Sequence, residues 1–281
     1  MHLQKTKNGN KNENLVLSGG AAMNCVFNGY LDSLDTYKNT HISSCPDDSG
    51  VAVGACLLAY YKYTAQKRSI SETKDSYWGP EFNEEEIENV LKKFKISYSK
   101  PKDLFKDTAN FIAKGDLIGW FQGRMEFGHR ALGNRSILAD PRYEITKDKV
   151  NLAVKYRESY RPFAPAVLSE KAHDIFEMPK DRSVYFMERA YYIKKEWRDK
   201  LQAVCHVDGT GRVQTVEKSI NENFYTLIKE FEKITDIPVL LNTSFNLNGE
   251  PIVMTPEHAI RTFYTCGLDK LIIGPFLISK E

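Results

Sequence analysis

Apolar residues along the chain fall into two blocks that a polar stretch separates. The first block, residues 14–64, opens with the run NLVLSGG and continues with AAMNCVFNGYLDSL and SSCPDDSGVAVGACLLAYYKY. A short apolar run that ends in Ser-Gly-Gly is typical of a buried strand turning sharply into a helix. We therefore predict one strand and two helices in this block, followed by a polar linker over residues 66–75.

The second block begins near residue 77 and alternates helix-like and strand-like stretches irregularly. Helices are predicted at FNEEEIENVLKKF, LFKDTANFIAKGD, DKVNLAVKYRE, ENFYTLIKEFEKIT and TPEHAIRTFYTCG. The first of these has acidic residues in its first turn and lysines near its end, which complements the helix dipole. Extended segments or strands are predicted at LIGWFQG, PFAPAVLSEKA, VYFMERAYYI, AVCHVDG, RVQTV, PVLLNTSF and LIIG. This order predicts an α/β domain with a mixed sheet.

Composition narrows the class of protein. The 281 residues are 42% hydrophobic and 27% charged, which is ordinary for a soluble globular protein. The chain has no apolar run of about 18 residues, so we expect no membrane partner. Residues 1–13 are polar, lack the apolar stretch of a signal peptide, and are expected to form a disordered leader. The net charge of +2 gives no reason to expect a nucleic-acid partner. Five scattered cysteines without a C-x-x-C pair indicate reduced thiols in a cytoplasmic protein.

The densest candidate chemistry lies in residues 123–142, GRMEFGHRALGNRSILADPR. Three glycines recur there every five residues, and glycine lets backbone approach a ligand closely. The stretch also contains four arginines, Arg124, Arg130, Arg135 and Arg142. Because guanidinium forks match phosphate and carboxylate oxygens two at a time, an anion site is the leading interpretation. The alternative is a surface loop whose arginines are simply solvated.

Three further stretches carry weaker signals. In NLAVKYRESYRPFAPAVL, Lys155 could act as a point charge on a phosphate, although a solvated basic helix face explains the pattern equally well. HVDGTGRVQTV combines a tight turn with Arg212, and a plain hairpin remains an alternative. LLNTSFNLNGEPIV ends a buried strand in small polar side chains, a common arrangement for nucleotide or phosphate contacts. A polar turn that uses Asn and Gly for positive φ is the alternative there.

Taken in order, these stretches resemble the nucleotide-dependent O-carbamoyltransferases of nodulation and antibiotic tailoring. The pieces that carry the resemblance are GGAAMNCVFNG, PDDSGVAVGA, YWGPEF, GRMEFGHRALGNRSILADPR, VKYRESYRPFAPAVL, HVDGTGRVQTV and PVLLNTSFNLNGEPIVMTPEHAIRTF. They span residues 15–278. The resemblance implies that residues 14–70 are the C-terminal remnant of an actin-like ATPase (ASKHA) domain. It implies that residues 76–281 form a YrdC-like domain with a mixed twisted sheet.

The resemblance also implies a reaction. The C-terminal domain would form carbamoyl adenylate from carbamoyl phosphate and ATP, with Mg²⁺ on the nucleotide, and would release pyrophosphate. The actin-like domain would then pass the carbamoyl group to a hydroxyl of a sugar or another small natural product. Carried over by motif, Lys155, Arg212 and Ser244 are expected at the activation site, where the two cations would neutralise phosphate charge. The residues expected to contact carbamoyl phosphate or ATP are Arg124, Arg130, Arg135, Arg157, Arg161, Asn242 and Asn246.

The first block matches only part of the family's transfer site. Gly19, Gly20 and Asn24 correspond to an adenylate-binding glycine turn, and Asp48 corresponds to an aspartate that helps hold Fe²⁺ or a similar divalent metal. The family's H-x3-H metal pair has no counterpart among the six histidines, none of which lie four apart. His129 stands where the family more often has proline. We therefore expect a bound metal only if a partner chain supplies the N-terminal half of the actin-like domain.

Three functions remain open from the sequence. The first is an O-carbamoyltransferase, competent at most for the activation half-reaction by itself. The second is a non-catalytic nucleotide-binding or regulatory subunit of a split carbamoyltransferase, docked through an exposed apolar face on residues 15–64. The third is threonylcarbamoyl transfer in tRNA modification, against which the near-neutral charge argues. A homodimer is a further expectation from the resemblance.

Overall fold

The computed structural model describes residues 13–34, 37–67, 74–158 and 161–280. We call residues 13–67 the N-terminal segment and residues 74–280 the C-terminal domain. Residues 1–12 of the predicted disordered leader lie outside the described residues. Residues 68–73, the central part of the predicted linker, also lie outside them. Within them, no helix is long and apolar enough to cross a bilayer.

The N-terminal segment contains two short strands and two helices. Strands β1 (Asn14–Leu17) and β2 (Asn39–Ile42) pair in parallel and form a two-stranded sheet. Helix α1 (Cys25–Ser33) begins at Asn24, whose side chain accepts the backbone N–H of Phe27. Helix α2 (Asp48–Thr64) begins at Asp47, whose side chain accepts the N–H of Ser49. The predicted strand and both helices are confirmed, whereas β2 was not predicted.

The C-terminal domain is built on an eight-stranded mixed sheet in the order β10-β9-β3-β4-β8-β5-β7-β6. Its strands are β3 (Ile118–Phe121), β4 (Arg135–Ala139), β5 (Ala164–Leu168), β6 (Arg189–Tyr192), β7 (Thr210–Val216), β8 (Val239–Ser244), β9 (Lys270–Ile273) and β10 (Phe276–Ser279). The β3–β9 and β5–β7 pairs are parallel and the other neighbours are antiparallel. The predicted mixed α/β architecture is therefore confirmed.

Seven helices of the described C-terminal domain surround this sheet. They are α3 (Glu84–Lys93), α4 (Leu104–Ala113), α5 (Glu144–Val150), α6 (Ala172–Ile175), α7 (Lys195–Arg198), α8 (Glu222–Thr235) and α9 (Pro256–Tyr264). Helices α4 and α8 pack against each other, and α8 also covers β5 and β8. Phe224, Leu227, Ile228 and Phe231 of α8 recur at three- and four-residue spacing and are all fully buried. This periodicity is why the α8 helix could be predicted from sequence.

Some predicted elements differ from the structure. The stretch AVCHVDG, predicted as a strand, is a series of turns, in which the His206 N–H donates to the Thr210 carbonyl. Within VYFMERAYYI, residues 184–193, only Arg189–Tyr192 forms a strand, β6. Strand β4 was hidden inside the arginine-rich stretch, and β10 was also not predicted. Sheet pairing, rather than local alternation of polarity, stabilises these strands.

Helix α1 packs closely against the large sheet. A Cβ on Gly29 would lie 2.0 Å from the carbonyl oxygen of Ala190 in β6, so only glycine allows this approach. The Asn28 side chain donates to the carbonyls of Ala22 and Glu188. The carboxylate of Asp32 lies beside Arg182 and Arg189 at 3.1 and 3.3 Å. A buried polar network thus ties the N-terminal segment to the C-terminal domain.

Helix α2, in contrast, has no buried residue. Val51, Leu58 and Tyr63 expose 66%, 72% and 83% of their surface. An apolar helix exposed on this scale is unusual on a soluble monomer. The expected apolar face on the first block is therefore present.

Candidate anion-binding site

A lysine is buried at the end of strand β8. Helix α5 runs on into a π-helical turn (Asn151–Lys155), and Tyr156 ends it with a left-handed backbone at φ 44°. This wider turn directs the Lys155 side chain inward, where only 5% of the residue is exposed. Its ammonium donates to the carbonyl and hydroxyl of Ser244 at 2.6 and 3.2 Å. It also donates to the carbonyl and Oδ1 of Asn246 at 3.0 and 2.7 Å.

None of the four acceptors of Lys155 is a carboxylate. Burial, and secondarily the charge of Arg157, lowers the pKa of Lys155 to about 7. Serine and asparagine oxygens hold the ammonium in place but do not neutralise it. The side chain can therefore gain a proton near neutral pH when an anion arrives.

Three arginines extend the positive charge from Lys155 across the sheet. Arg212 on β7 is close enough to Arg130 and Arg157 for the charges of both to lower its pKa. Burial is the larger cause and brings the pKa of Arg212 to about 10. The buried Nε of Arg212 has no hydrogen-bond partner, and neither the Arg130 nor the Arg212 side chain donates to any of the described residues. Guanidinium donors left unpaired beside like charges are suited to bind an anion.

Arg157 and Arg161 lie on the outer side of this cluster. The Arg157 guanidinium makes long hydrogen bonds of 3.4 Å to Asn151 and to the Pro162 carbonyl, and it lies over the ring of Phe163. Its pKa is lowered by burial first and then by the charge of Arg161. Arg161 itself is exposed and 4.0 Å from Glu158. Of these two, Arg157 is the one placed within electrostatic reach of Lys155 and Arg212.

Two arginines of the glycine-rich stretch have their donors directed to backbone oxygens instead. Arg135 is fully buried and donates to the carbonyls of residues 80, 122, 123 and 134, with its guanidinium 3.6 Å from the ring centre of Phe121. The Arg135 side chain thus supports the loop from inside the domain, and ligand contact by Arg135 stays a prediction. Arg124 donates to the carbonyls of Trp78 and Gly79, and ligand contact by Arg124 stays a prediction.

The two predicted asparagines differ in their surroundings. Asn246 shares its Oδ1 between Lys155 and the hydroxyl of Ser244, 2.6 Å away. Asn242 is buried, and its amide donates to the Ala131 carbonyl and to Gln214. The structure thus brings Asn246 to Lys155, whereas Asn242 fastens the loop to β8.

Both parts of the chain match models of one known protein family. Residues 109–280 match the family model described as carbamoyltransferase C-terminus, and residues 2–57 match the one described as carbamoyltransferase N-terminus. The first match alone covers more than half of the chain. The chain belongs to the carbamoyltransferase family. The predicted family is thus confirmed.

Named relatives agree with this membership. The chain is 43% identical to nodulation protein NolO of Bradyrhizobium diazoefficiens over 95% of its own length and 49% of the relative. It is 32% identical to the 3'-hydroxymethylcephem-O-carbamoyltransferase of Amycolatopsis lactamdurans, over 92% of this chain and 48% of that one. The chain thus spans about half the length of these curated relatives. A nucleotide-bound HypF structure matches with a TM-score of 0.45 and 15% identity, covering 63% of this chain and 22% of that one.

In this carbamoyltransferase chain, the predicted adenylate turn sits on the surface of the N-terminal segment. Gly19 has φ 86°, and its N–H donates to the Pro46 carbonyl at 2.6 Å. Gly20 is exposed beside it, and Asn24 caps α1. Asp48 is the exposed first residue of α2. Adenylate contact by Gly19, Gly20 and Asn24 stays a prediction, as does metal binding by Asp48.

The described residues do not by themselves form a metal centre. They contain no cluster of three or more His, Cys, Asp or Glu side chains able to hold an ion. Next to Asp48, the carboxylate of Asp47 is already engaged by Ser49 and by Nε2 of His129, 2.8 Å away. The residues present therefore do not fit the iron site that the family resemblance implies.

One residue at the site was not found from the sequence. Glu126 lies within the glycine-rich stretch, is only 4% exposed, and accepts three backbone N–H groups of the loop that carries Arg130. From the sequence alone, a single glutamate among arginines is expected to lie at the surface and to balance their charge. The signal that could have identified it is its position two residues before Gly128, at the start of a glycine-rich loop whose backbone N–H groups need acceptors.

Proposed function

We propose that this chain carries out the carbamoyl-activating half of an ATP-dependent O-carbamoyltransferase reaction. The observation that carries the proposal is a group of cations without carboxylate partners among the described residues: the guanidiniums of Arg130 and Arg212, which have no acceptor there, and the buried ammonium of Lys155. A site with three cations and no protein anion among its described contacts favours a ligand with several negative charges. Carbamoyl phosphate and ATP are such ligands, and family membership supports them.

The proposed chemistry follows from charge and stoichiometry. Water hydrolyses carbamoyl phosphate to carbamate and inorganic phosphate. An oxygen of the carbamate then attacks the α-phosphorus of ATP. The bond between the α-phosphorus and the bridging oxygen breaks, so carbamoyl adenylate and pyrophosphate are formed. In this scheme Lys155 and Arg212 stabilise charge that develops on phosphoryl oxygens, and Ser244 orients Lys155. Mg²⁺ would accompany the nucleotide.

Release of pyrophosphate tests this proposal directly. Purified chain is incubated with ATP, Mg²⁺ and carbamoyl phosphate, beside Lys155→Ala and the exposed control Lys92→Ala. We expect pyrophosphate and phosphate in equal amounts, dependent on carbamoyl phosphate, lost in Lys155→Ala and unchanged in Lys92→Ala. Nucleotide binding without pyrophosphate release would instead support a non-catalytic nucleotide-binding subunit.

The exposed helix α2 supports a second part of the proposal, a partner polypeptide. The curated relatives are about twice as long as this chain. Helix α2 presents an exposed apolar surface, and the sheet of the described N-terminal segment has two strands. We propose that a polypeptide equivalent to the remaining half of those relatives covers α2, completes the transfer site and delivers carbamoyl to a hydroxylated small molecule. A chain carrying that half should bind the wild type, and Leu58→Ser with Tyr63→Ser should weaken binding without altering pyrophosphate release.

A further inference from the structure

The carboxylate of Glu126 lies buried under the loop that carries Arg130. Its Oε1 accepts the backbone N–H groups of Leu132, Asn134 and Arg135 at 2.6, 2.8 and 3.2 Å. Its Oε2 is also buried and has no hydrogen-bond partner. Three donors that converge on one oxygen fix the direction of the backbone after Arg130, because moving any of them would leave a buried N–H unpaired.

The chain before Arg130 is fixed as well. The N–H of Phe127 donates to the carbonyl of Ser76 at 2.6 Å. Gly128 has φ 135°, and a Cβ there would lie 2.6 Å from the carbonyl oxygen of Ser44 in the N-terminal segment. Nε2 of His129 lies 2.8 Å from Asp47. Arg130 therefore lies between two stretches of backbone, and hydrogen bonds and close packing hold each of them in place.

Nothing at the far end of the Arg130 side chain provides a comparable anchor. Its guanidinium has no acceptor among the described residues, and it lies close enough to Arg212 for its charge to lower the pKa of Arg212. Repulsion between two guanidiniums would separate them if the loop were free to move. The backbone anchors must therefore oppose this repulsion for the pair to stay together.

We propose that Glu126 is a positioning residue that holds Arg130 in the anion site through the backbone N–H groups of residues 132, 134 and 135. This inference rests on the proposed function, since it takes Arg130 and Arg212 to bind a phosphate group. Glu126 itself makes no contact with the ligand. Its role is to keep a second guanidinium beside Arg212 before the anion binds, so that binding does not first require the loop to be ordered.

Glu126 could instead act as a negative charge that balances nearby arginines. The two roles predict opposite orders of phosphate affinity for the Glu126→Gln and Glu126→Asp variants. Glu126→Gln keeps an oxygen at the position of Oε1 but removes the charge. Glu126→Asp keeps the charge but withdraws the oxygen by one methylene. Positioning predicts that the glutamine variant retains phosphate affinity and the aspartate variant loses it, whereas charge balance predicts the reverse.

The experiment measures the binding of inorganic phosphate and of pyrophosphate by calorimetry. The variants are Glu126→Asp and Glu126→Gln, each alone and combined with Arg130→Ala, with the exposed Glu85→Gln as the matched control. We expect Glu126→Asp to weaken binding by about tenfold, and Glu126→Gln by less than about threefold. In the Arg130→Ala background Glu126→Asp should have no further effect, because the two residues act through one contact.

Each contrary result has a distinct meaning. A wild-type chain that binds neither anion would overturn the proposed function and this inference together. Wild-type binding with equal losses from Glu126→Asp in both backgrounds would overturn the positioning role alone, since the carboxylate would then act independently of Arg130. Greater loss from Glu126→Gln than from Glu126→Asp would also overturn it and would assign Glu126 to charge balance.

Discussion

Nζ of Lys155 lies 2.7 Å from Oδ1 of Asn246, a residue 91 positions further along the chain. The same Oδ1 accepts the hydroxyl of Ser244, so one asparagine side chain organises both a cation and a hydroxyl at the end of β8. The arrangement orients the ammonium without neutralising it. Its consequences for binding can be measured.

Anion affinity should depend on the protonation of Lys155. Burial lowers the pKa of Lys155 to about 7, so in the free site this side chain is increasingly neutral above that pH and increasingly cationic below it, while the arginines keep their charge. Because a bound anion favours the ammonium form, affinity should fall as the pH rises from about 6 to about 9. Sulfate is the suitable probe, since its own charge is constant over this range. Lys155→Met should bind sulfate weakly and with little pH dependence, and a pH profile as steep as that of the wild type would contradict the assignment.

Substitutions of Arg124 and Arg130 in the glycine-rich stretch and of Arg212 on β7 should differ in their effect on pyrophosphate binding. Arg130→Ala and Arg212→Ala each remove an unpaired guanidinium, and each should weaken pyrophosphate binding about ten- to a hundredfold. Arg124→Ala removes a side chain that donates to backbone carbonyls at the surface, and we expect less than about a threefold change. Titration calorimetry on the three variants makes the comparison. Equal losses in all three would show that only the total charge matters.

Arg135→Met should destabilise the fold rather than weaken binding selectively. The substitution removes hydrogen bonds to four backbone carbonyls, two of these bonds buried and two partly buried, and it removes the stacking on Phe121. A loss of roughly 3–5 kcal/mol in the free energy of unfolding is expected from breaking such a buried network. Chemical denaturation monitored by tryptophan fluorescence would measure it. A variant of unchanged stability that binds pyrophosphate poorly would instead support Arg135 as a ligand contact.

Gly29→Ala should release the N-terminal segment from the C-terminal domain. The added methyl would overlap the Ala190 carbonyl, and the backbone of α1 would have to move away from β6. Limited proteolysis should then cleave within residues 13–67 faster than in the wild type, while the C-terminal domain remains resistant. Gly54→Ala, on the exposed helix α2 where the methyl meets nothing within 4 Å, is the matched control and should behave like the wild type.

Local sequence patterns predicted much of the secondary structure. The three- and four-residue spacing of α8, the capped start of α3 and the strand at PVLL all follow from short-range periodicity and from turn and cap residues. The pattern failed at β4 and β10, where pairing with neighbouring strands stabilises short segments of ambiguous polarity. At residues 203–209 the pattern predicted a strand that is absent, because the apolar residues there lie in a series of turns.

The motifs of the sequence determined the family and the set of candidate residues, because the spacing of residues within a motif is a local property of the chain. Only the tertiary structure decided which of four neighbouring arginines is available to a ligand. Arg135 and Arg130 are five residues apart in one glycine-rich stretch, yet one is enclosed by backbone carbonyls and the other has no acceptor among the described residues. The difference arises because strand β4 begins at Arg135 and fixes it inside the sheet, while the Glu126 carboxylate closes the preceding loop and leaves Arg130 beside Arg212.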